Sequence, residues 1–209
     1  MIPKRIHYCW ISGEENMPDD IKTCVDSWKE FLPDYQFTNW NDSNFDWNLC
    51  DFTKYCRENE MWAFCADFVR YWALYNYGGF YLDCDVMIYK SFDELTKLKR
   101  LITTEYVVDD RIEAAILGAE KGDTLFKQIM DFYLATDMRP YEESMMLAPD
   151  VMVDVISQNG YILHDIDTIK RETKKDKQVN ILDVNKFFSR NNITEKTFAV
   201  HQFKNTWVR

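Results

Sequence analysis

The sequence has no run approaching the roughly 18 consecutive apolar residues that a membrane-spanning helix requires, and glycine and proline number only 6 and 5 among its 209 residues. The first shortage speaks against a membrane span, the second against a fibrous or disordered chain. No CxxC pair occurs. The six cysteines, Cys9, Cys24, Cys50, Cys56, Cys65 and Cys84, are irregularly spaced in otherwise apolar segments, so they read as small buried thiols in a reducing cytoplasm rather than disulfide partners or zinc ligands. Basic residues are in deficit, 25 Lys and Arg against 35 Asp and Glu for a net charge of −10. Such a chain has little with which to neutralise a nucleic-acid backbone. If it handles phosphates, it does so through a bound cation. The opening Met1-Ile2-Pro3-Lys4-Arg5-Ile6 carries a basic pair but neither a long apolar stretch nor a small-residue cleavage site. It is expected to be a first strand, not a signal peptide.

Hydrophobic residues make up 46% and aromatic residues 16% of the chain, which implies a folded protein with a ring-rich core. The length suits one domain over residues 1–209. Residues 2–11 are rich in β-formers and end at Ser12-Gly13, predicting a strand and a turn. After Pro18, Ile21, Cys24, Val25, Trp28 and Leu32 recur at helical spacing. Residues 35–40 read as a second strand, and the polar, aromatic stretch to Asn59 shows only weak periodicity. Residues 61–77 are helical without a breaker until Gly78-Gly79, a natural place for a C-terminal cap. Residues 112–118 read as a strand, 123–136 as a helix capped by Asp123, and 149–158 as a shorter helix. Short strands and a Lys/Asp-rich loop over 171–177 fill the remainder. Strand, helix, strand is the opening of an α/β fold.

Residues 80–89 alternate: Phe80, Leu82, Cys84, Val86 and Ile88 on one face, Tyr81, Asp83, Asp85 and Met87 on the other. As one strand, this segment aims both aspartates the same way. Two carboxylates so placed repel unless a cation or proton intervenes. Hard oxygen ligands of this kind suit Mg²⁺ or Mn²⁺, which bind one or two carboxylates together with waters and substrate phosphate oxygens. A solvated strand edge is the bland alternative, and a bare DxD is weak evidence. Upstream, Asp67 and Arg70 share one face of the apolar stretch Trp62-Ala63-Phe64-Cys65-Ala66-Asp67-Phe68-Val69-Arg70-Tyr71-Trp72. They form either a buried structural ion pair or a polar edge on which Arg70 offers a planar fork to phosphate or hydroxyl oxygens.

The block Ala66-Asp67-Phe68-Val69-Arg70-Tyr71, followed by Tyr77-Gly78-Gly79-Phe80-Tyr81-Leu82-Asp83-Cys84-Asp85-Val86, resembles the signature of glycosyltransferase family 32, the capsular polysaccharide and initiating mannosyltransferase-like enzymes. It is similar, more distantly, to the glucosylating domains of large clostridial toxins. The segment from Ile2 through Trp10-Ile11-Ser12-Gly13 resembles the family's opening motif, and His201 with Thr206-Trp207 its closing element. The resemblance implies a GT-A-type nucleotide-diphospho-sugar transferase fold with a mixed, mainly parallel sheet between helices. It implies that Trp10 stacks on the donor base with Ile11 beside it, although a core ring is an equal reading of Trp10. It places Asp67 and Arg70 at the donor sugar and Tyr81 and Asp83 near the ribose. Asp83, Asp85 and His201 become the metal set, with Asp85 the most direct ligand. His7 is expected to be structural.

The implied activity is metal-dependent, retaining transfer of a hexose or N-acetylhexosamine from a nucleotide-sugar to a saccharide or glycolipid acceptor. UDP-sugars are favoured over GDP-sugars, and the setting is surface polysaccharide synthesis. It is expected in the cytoplasm, with peripheral attachment to the inner face of the membrane left open. Glu113 stands where the family's asparagine is expected, and Ala148-Pro149 replaces a common Gly-Pro. Both departures bear on the sugar and acceptor pocket. Two other readings stay open: a haloacid-dehalogenase-like phosphatase, against which Met87 and the late position of the DxD count, and a catalytically dead sugar-nucleotide-binding module.

Overall fold

A computed structural model of the chain describes residues 1–104, 112–136, 147–166, 169 and 177–204. In chain order the regular elements begin with strand β1 (Arg5–Cys9), helix α1 (Asp19–Phe31), strand β2 (Gln36–Trp40) and helices α2 (Asp51–Glu58) and α3 (Trp62–Tyr77). There follow strands β3 (Gly79–Leu82), β4 (Val86–Ile88), β5 (Arg100–Thr103) and β6 (Ile116–Ala119), then helices α4 (Thr124–Ala135) and α5 (Ala148–Gln158). Strands β7 (Ile162–Ile166) and β8 (Gln178–Leu182), the short helix α6 (Val184–Phe187) and strand β9 (Ala199–His201) complete the order.

Seven strands form one sheet in the order β2-β1-β3-β6-β5-β8-β7, and β4 and β9 form a separate two-stranded sheet. Only β6 runs against its neighbours β3 and β5; the other pairings in the large sheet are parallel. The mixed, mainly parallel sheet expected from the resemblance is therefore present. One apolar cluster joins α2, α3, α4 and α5, and a second gathers around α1 and β4. Helix α1 is fastened to β4 by polar contacts as well as burial. The Trp28 indole donates to the Val86 carbonyl at 2.6 Å, and the Ile88 amide donates to Ser27 Oγ at 3.0 Å.

The passage from α3 to β3 requires its two glycines. Gly78 and Gly79 have φ of 63° and 114°. A Cβ on Gly78 would lie 2.6 Å from the Lys121 amide nitrogen, and one on Gly79 would lie 2.7 Å from the Arg5 carbonyl oxygen. Backbone that tight admits only hydrogen at Cα, and it sets β3 directly beside β1. On α4, Asp123 caps the helix as expected, accepting from the Leu125 and Phe126 amides.

Several sequence expectations need correction. Residues 80–89 are not one strand: β3 stops at Leu82, and Asp83, Cys84 and Asp85 form a turn closed by the Val86 amide on the Asp83 carbonyl at 3.0 Å. The chain then leaves the large sheet to pair with β9. The alternation survived this break because the turn keeps the phase. Phe80, Leu82, Cys84, Val86 and Ile88 are all buried in the same cluster. Helix α2 lies in the stretch read as irregular, its start fixed by a capping box between Cys50 and Thr53. Strand β5 was not anticipated. In residues 112–118 only the end is strand, because a bend at Ala114 and Ala115 precedes β6. All six cysteines are unpaired thiols, as expected. Among the described residues no helix is long and apolar enough to cross a membrane. The stretch 171–176 lies outside the described residues.

Candidate active site

Asp67 and Arg70 occupy one face of α3, and both are buried. Arg70 Nη2 lies 2.7 Å from Asp67 Oδ1 and 3.5 Å from Asp83 Oδ1, while Nη1 donates to the Ala114 carbonyl at 2.6 Å. The guanidinium also sits over the Tyr81 ring, 5.0 Å from its centroid. Arg70 does not hold out an empty fork. It knits α3 to the end of β3 and to the bend before β6, and among the described residues only its Nε lacks a partner. Asp67 also accepts the Ala148 amide at the start of α5, where a helix N-terminus favours negative charge. Burial nevertheless dominates its titration and pushes the carboxyl up to about 6, with Arg70 opposing. For Arg70 burial works against the charged form, but Asp83 and Asp67 hold it well above the ordinary guanidinium range.

The two aspartates of the turn have different surroundings. Asp83, whose amide donates to the Ala115 carbonyl at 2.9 Å, faces Arg70. Burial raises its carboxyl, Arg70 lowers it and Asp85 raises it. Asp85 is enclosed by the chain following β9. Its Oδ1 is 3.3 Å from His201 Nε2, its Oδ2 accepts the Lys204 amide at 2.9 Å, and its carbonyl accepts the Gln202 amide at 3.0 Å. Burial alone would raise this carboxyl, yet the hydrogen bond and charge of His201 and the Lys204 amide take it below the usual range. The pairing that makes this possible is the Val86–His201 register of the β4–β9 sheet. Phe203 adopts a left-handed φ of 51°. This is an uncommon conformation for a ring-bearing residue, and it sits between His201 and the amide that reaches Asp85.

His201 has a second carboxylate. Its Nδ1–H donates to Glu113 Oε2 at 3.2 Å, and the Ala115 amide donates to Glu113 Oε1 at 2.9 Å. Burial would lower the imidazole's pKa, but hydrogen bonds to Asp85 and Glu113, together with their charges, carry it up to about 10. Glu113, although buried, is taken below the ordinary range by the same imidazole and by its amide donors. A small cleft lined by Thr103, Thr104, Glu113, Arg190, His201 and Phe203 adjoins this pair.

Trp10 and Ile11 follow β1, each partly buried. The Trp10 backbone is clamped to β2 by Asn39, which accepts from its amide at 2.8 Å and donates to its carbonyl at 3.1 Å. The Trp10 ring packs against the α1–β4 cluster and its indole N–H has no partner among the described residues. Tyr81, expected beside a ribose, is 1% exposed and buried under Arg70. His7 is structural, its Nε2–H donating to the Gly78 carbonyl at 2.9 Å while the Trp40 indole donates to its Nδ1 at 3.3 Å. Thr206 and Trp207 lie outside the described residues. The structure thus brings Asp67, Arg70, Tyr81 and Asp83 together, and Asp85 with His201 beside them. The residue that sequence reasoning missed is Glu113, noted only as a departure; a lone acid inside an apolar run was the available signal.

The arrangement is an α/β sheet of GT-A type with a DxD turn at the end of a central strand. Residues 18–102 match the family model described as a glycosyltransferase sugar-binding region containing DXD motif, a span that holds Asp67, Arg70, Asp83 and Asp85. In sequence the chain is similar to glycosyltransferase family 32. It is 36% identical over 139 residues to inositol phosphoceramide mannosyltransferase 3 of Schizosaccharomyces pombe, covering 62% of this chain and 36% of that protein. It is 33% identical over 103 residues to inositol phosphoceramide mannosyltransferase 2 of the same organism, covering 46% and 28%. The chain therefore spans about a third of the length of these curated relatives. Its fold is similar to the solved structure titled PaToxG Glycosyltransferase, with a TM-score of 0.57 at 20% identity over 76% of this chain and 70% of that one.

Proposed function

We propose that the chain is a metal-dependent glycosyltransferase that moves a hexose or N-acetylhexosamine from a nucleotide-diphosphate sugar to a saccharide or glycolipid acceptor, with retention of configuration. The observation that carries this reading is the Asp83-Cys84-Asp85 turn, with Asp85 3.3 Å from His201 Nε2 and Asp83 facing the buried Arg70. Asp85 offers the hard oxygen that Mn²⁺ or Mg²⁺ takes, and its distance to His201 Nε2 suits two neighbouring ligands of one ion. Neighbouring ligands of an octahedral ion at ~2.1 Å lie about 3 Å apart, close to the observed Oδ1–Nε2 separation. Among the described residues no group of three His, Cys, Asp or Glu side chains is placed to hold a metal ion. An ion on Asp85 and His201 would draw its remaining ligands from waters and substrate phosphates, with Asp83 reaching it through water or serving the ribose. When bound, such an ion supplies Lewis-acid charge to a departing diphosphate.

The protein's own residues do the rest. Asp67 and Arg70 form a preorganised polar wall that needs no rearrangement as charge develops. Trp10 offers a half-buried ring at the end of β1, with Ile11 beside it, for a nucleotide base. We place the reaction in surface polysaccharide synthesis in the cytoplasm. UDP-sugars are favoured as donors, while the mannosyltransferase relatives make GDP-sugars the second arm to run. The test is a donor screen with Mn²⁺, reading hydrolysis and transfer from UDP- and GDP-sugars with and without EDTA. Turnover that is indifferent to EDTA, or phosphate release from simple monoesters in place of nucleotide-sugar turnover, would overturn the proposal.

A further inference from the structure

Glu113 is an expensive residue to place where it is. It lies between Ile112 and Ala114 in a segment with almost no solvent access, and a buried carboxylate is costly unless paired and hydrogen-bonded. Its backbone is tied down by the Glu113 amide on the Thr103 carbonyl at 2.8 Å. Both side-chain oxygens are committed, Oε1 to the Ala115 amide and Oε2 to His201 Nδ1. Each of its oxygens is thus already engaged by a protein donor. The ring it grips is held on a second side by Phe203, 4.0 Å between centroids, and on a third by Asp85.

We propose that Glu113 is a positioning residue: by accepting the Nδ1–H of His201 it fixes the ring orientation that presents Nε2 toward Asp85 and the cation site. The inference rests on the metal reading of Asp85 and His201 above. A carboxylate on the far nitrogen of a ligating histidine fixes its tautomer and raises its basicity, and loss of such a partner weakens metal affinity by about 10–100-fold. Glu113 thus acts on the ion through His201 rather than on the donor sugar.

The experiment measures Mn²⁺ affinity by electron paramagnetic resonance for the whole chain, Glu113→Gln, Glu113→Ala, His201→Ala and the Glu113→Ala/His201→Ala double variant, alongside the ¹H–¹⁵N correlation of the His201 Nδ1–H and the thermal midpoint. The expected result is a loss of about 10–100-fold in Mn²⁺ affinity for Glu113→Ala and a smaller loss for Glu113→Gln, which keeps one acceptor. The protected Nδ1–H signal should disappear in Glu113→Ala, and Glu113→Ala should have no further effect once His201 is gone. A purely structural role would lower the thermal midpoint while leaving Mn²⁺ affinity of the folded protein unchanged, and that would overturn the proposal. An equal Mn²⁺ loss with and without His201 would do the same. If His201→Ala itself binds Mn²⁺ as well as the unaltered protein, the metal reading fails and the inference falls with it. If His201→Ala weakens Mn²⁺ but neither Glu113 variant does, only the role of Glu113 falls.

Discussion

Asp85 and His201 meet at 3.3 Å across the join between the DxD turn and β9, two segments far apart in sequence. The turn is held against the later strand by the Lys204 amide on the Asp85 carboxylate and the Gln202 amide on its carbonyl. The site is therefore closed by backbone, and one side chain can be changed without dismantling it.

Asp85→Asn is expected to keep the fold and to lower Mn²⁺-dependent turnover of a nucleotide-sugar by at least about 100-fold, the scale on which loss of one preorganised electrostatic group acts. The amide retains an oxygen for the Lys204 amide but has no charge to share with a cation. Donor hydrolysis with Mn²⁺, set beside the far-ultraviolet dichroism and thermal midpoint, checks both halves. Full activity in the variant with EDTA present would sink the mechanism.

Arg70 separates structure from chemistry by choice of substitution. Arg70→Ala strands the Asp67 carboxylate, 7% exposed, without its ion-pair partner. A stability loss of about 3–5 kcal/mol follows, measured by urea denaturation. Arg70→Lys keeps the charge but cannot serve Asp67, Asp83 and the Ala114 carbonyl with one planar fork. We expect it to fold with a smaller loss and to turn over donor more slowly.

The helix carrying Asp67 and Arg70, the glycine stop behind it and the DxD were all legible, because each is a local pattern whose meaning survives burial. The split of residues 80–89 into β3, turn and β4 was not, since a turn that preserves two-residue alternation leaves no trace in the pattern. Helix α2 was hidden because Phe52, Thr53 and Cys56 are its only buried residues, too few to stand out in a polar, aromatic stretch. Glu113 was seen as an oddity and not as a partner of His201, because the contact joins positions 88 residues apart. Patterns within an element were readable; pairings between elements depended on topology.

Arg100 and Asp123 provide a structural control away from the site. Both are buried, with Nη2 at 2.7 Å and Nε at 3.1 Å from Asp123 Oδ2, and Asp123 also caps α4. Asp123→Ala removes the cap and one carboxylate partner of the buried Arg100, so a loss of at least about 1 kcal/mol is expected from the cap alone. Mn²⁺ affinity of the folded fraction should be unchanged. A variant that loses metal affinity without losing stability would contradict this separation of roles.

His7 should make the fold sensitive to mild acid. Burial first, opposed by its bond to Gly78 and aided by the charge of Arg5, lowers its pKa from 6.5 to about 4. The neutral ring is what the fold needs, donating from Nε2 to the Gly78 carbonyl and accepting the Trp40 indole at Nδ1. Between pH 6.5 and 4 the unfolded chain binds a proton that the folded chain refuses. The stabilisation is therefore complete above pH 6.5 and is lost as pH falls through about 4. A shift of this size corresponds to about 3 kcal/mol at most. His201 shifts in the opposite direction, so the comparison must be made against a variant and not against the absolute curve. Urea denaturation of the unaltered chain and His7→Gln at pH 7.5, 6, 5 and 4.5 isolates the effect. The variant should be the less stable at pH 7.5, and the gap should narrow or reverse toward pH 4.5. Parallel curves across that range would show that His7 is not the neutral, doubly bonded ring on which β1 and the start of β3 depend.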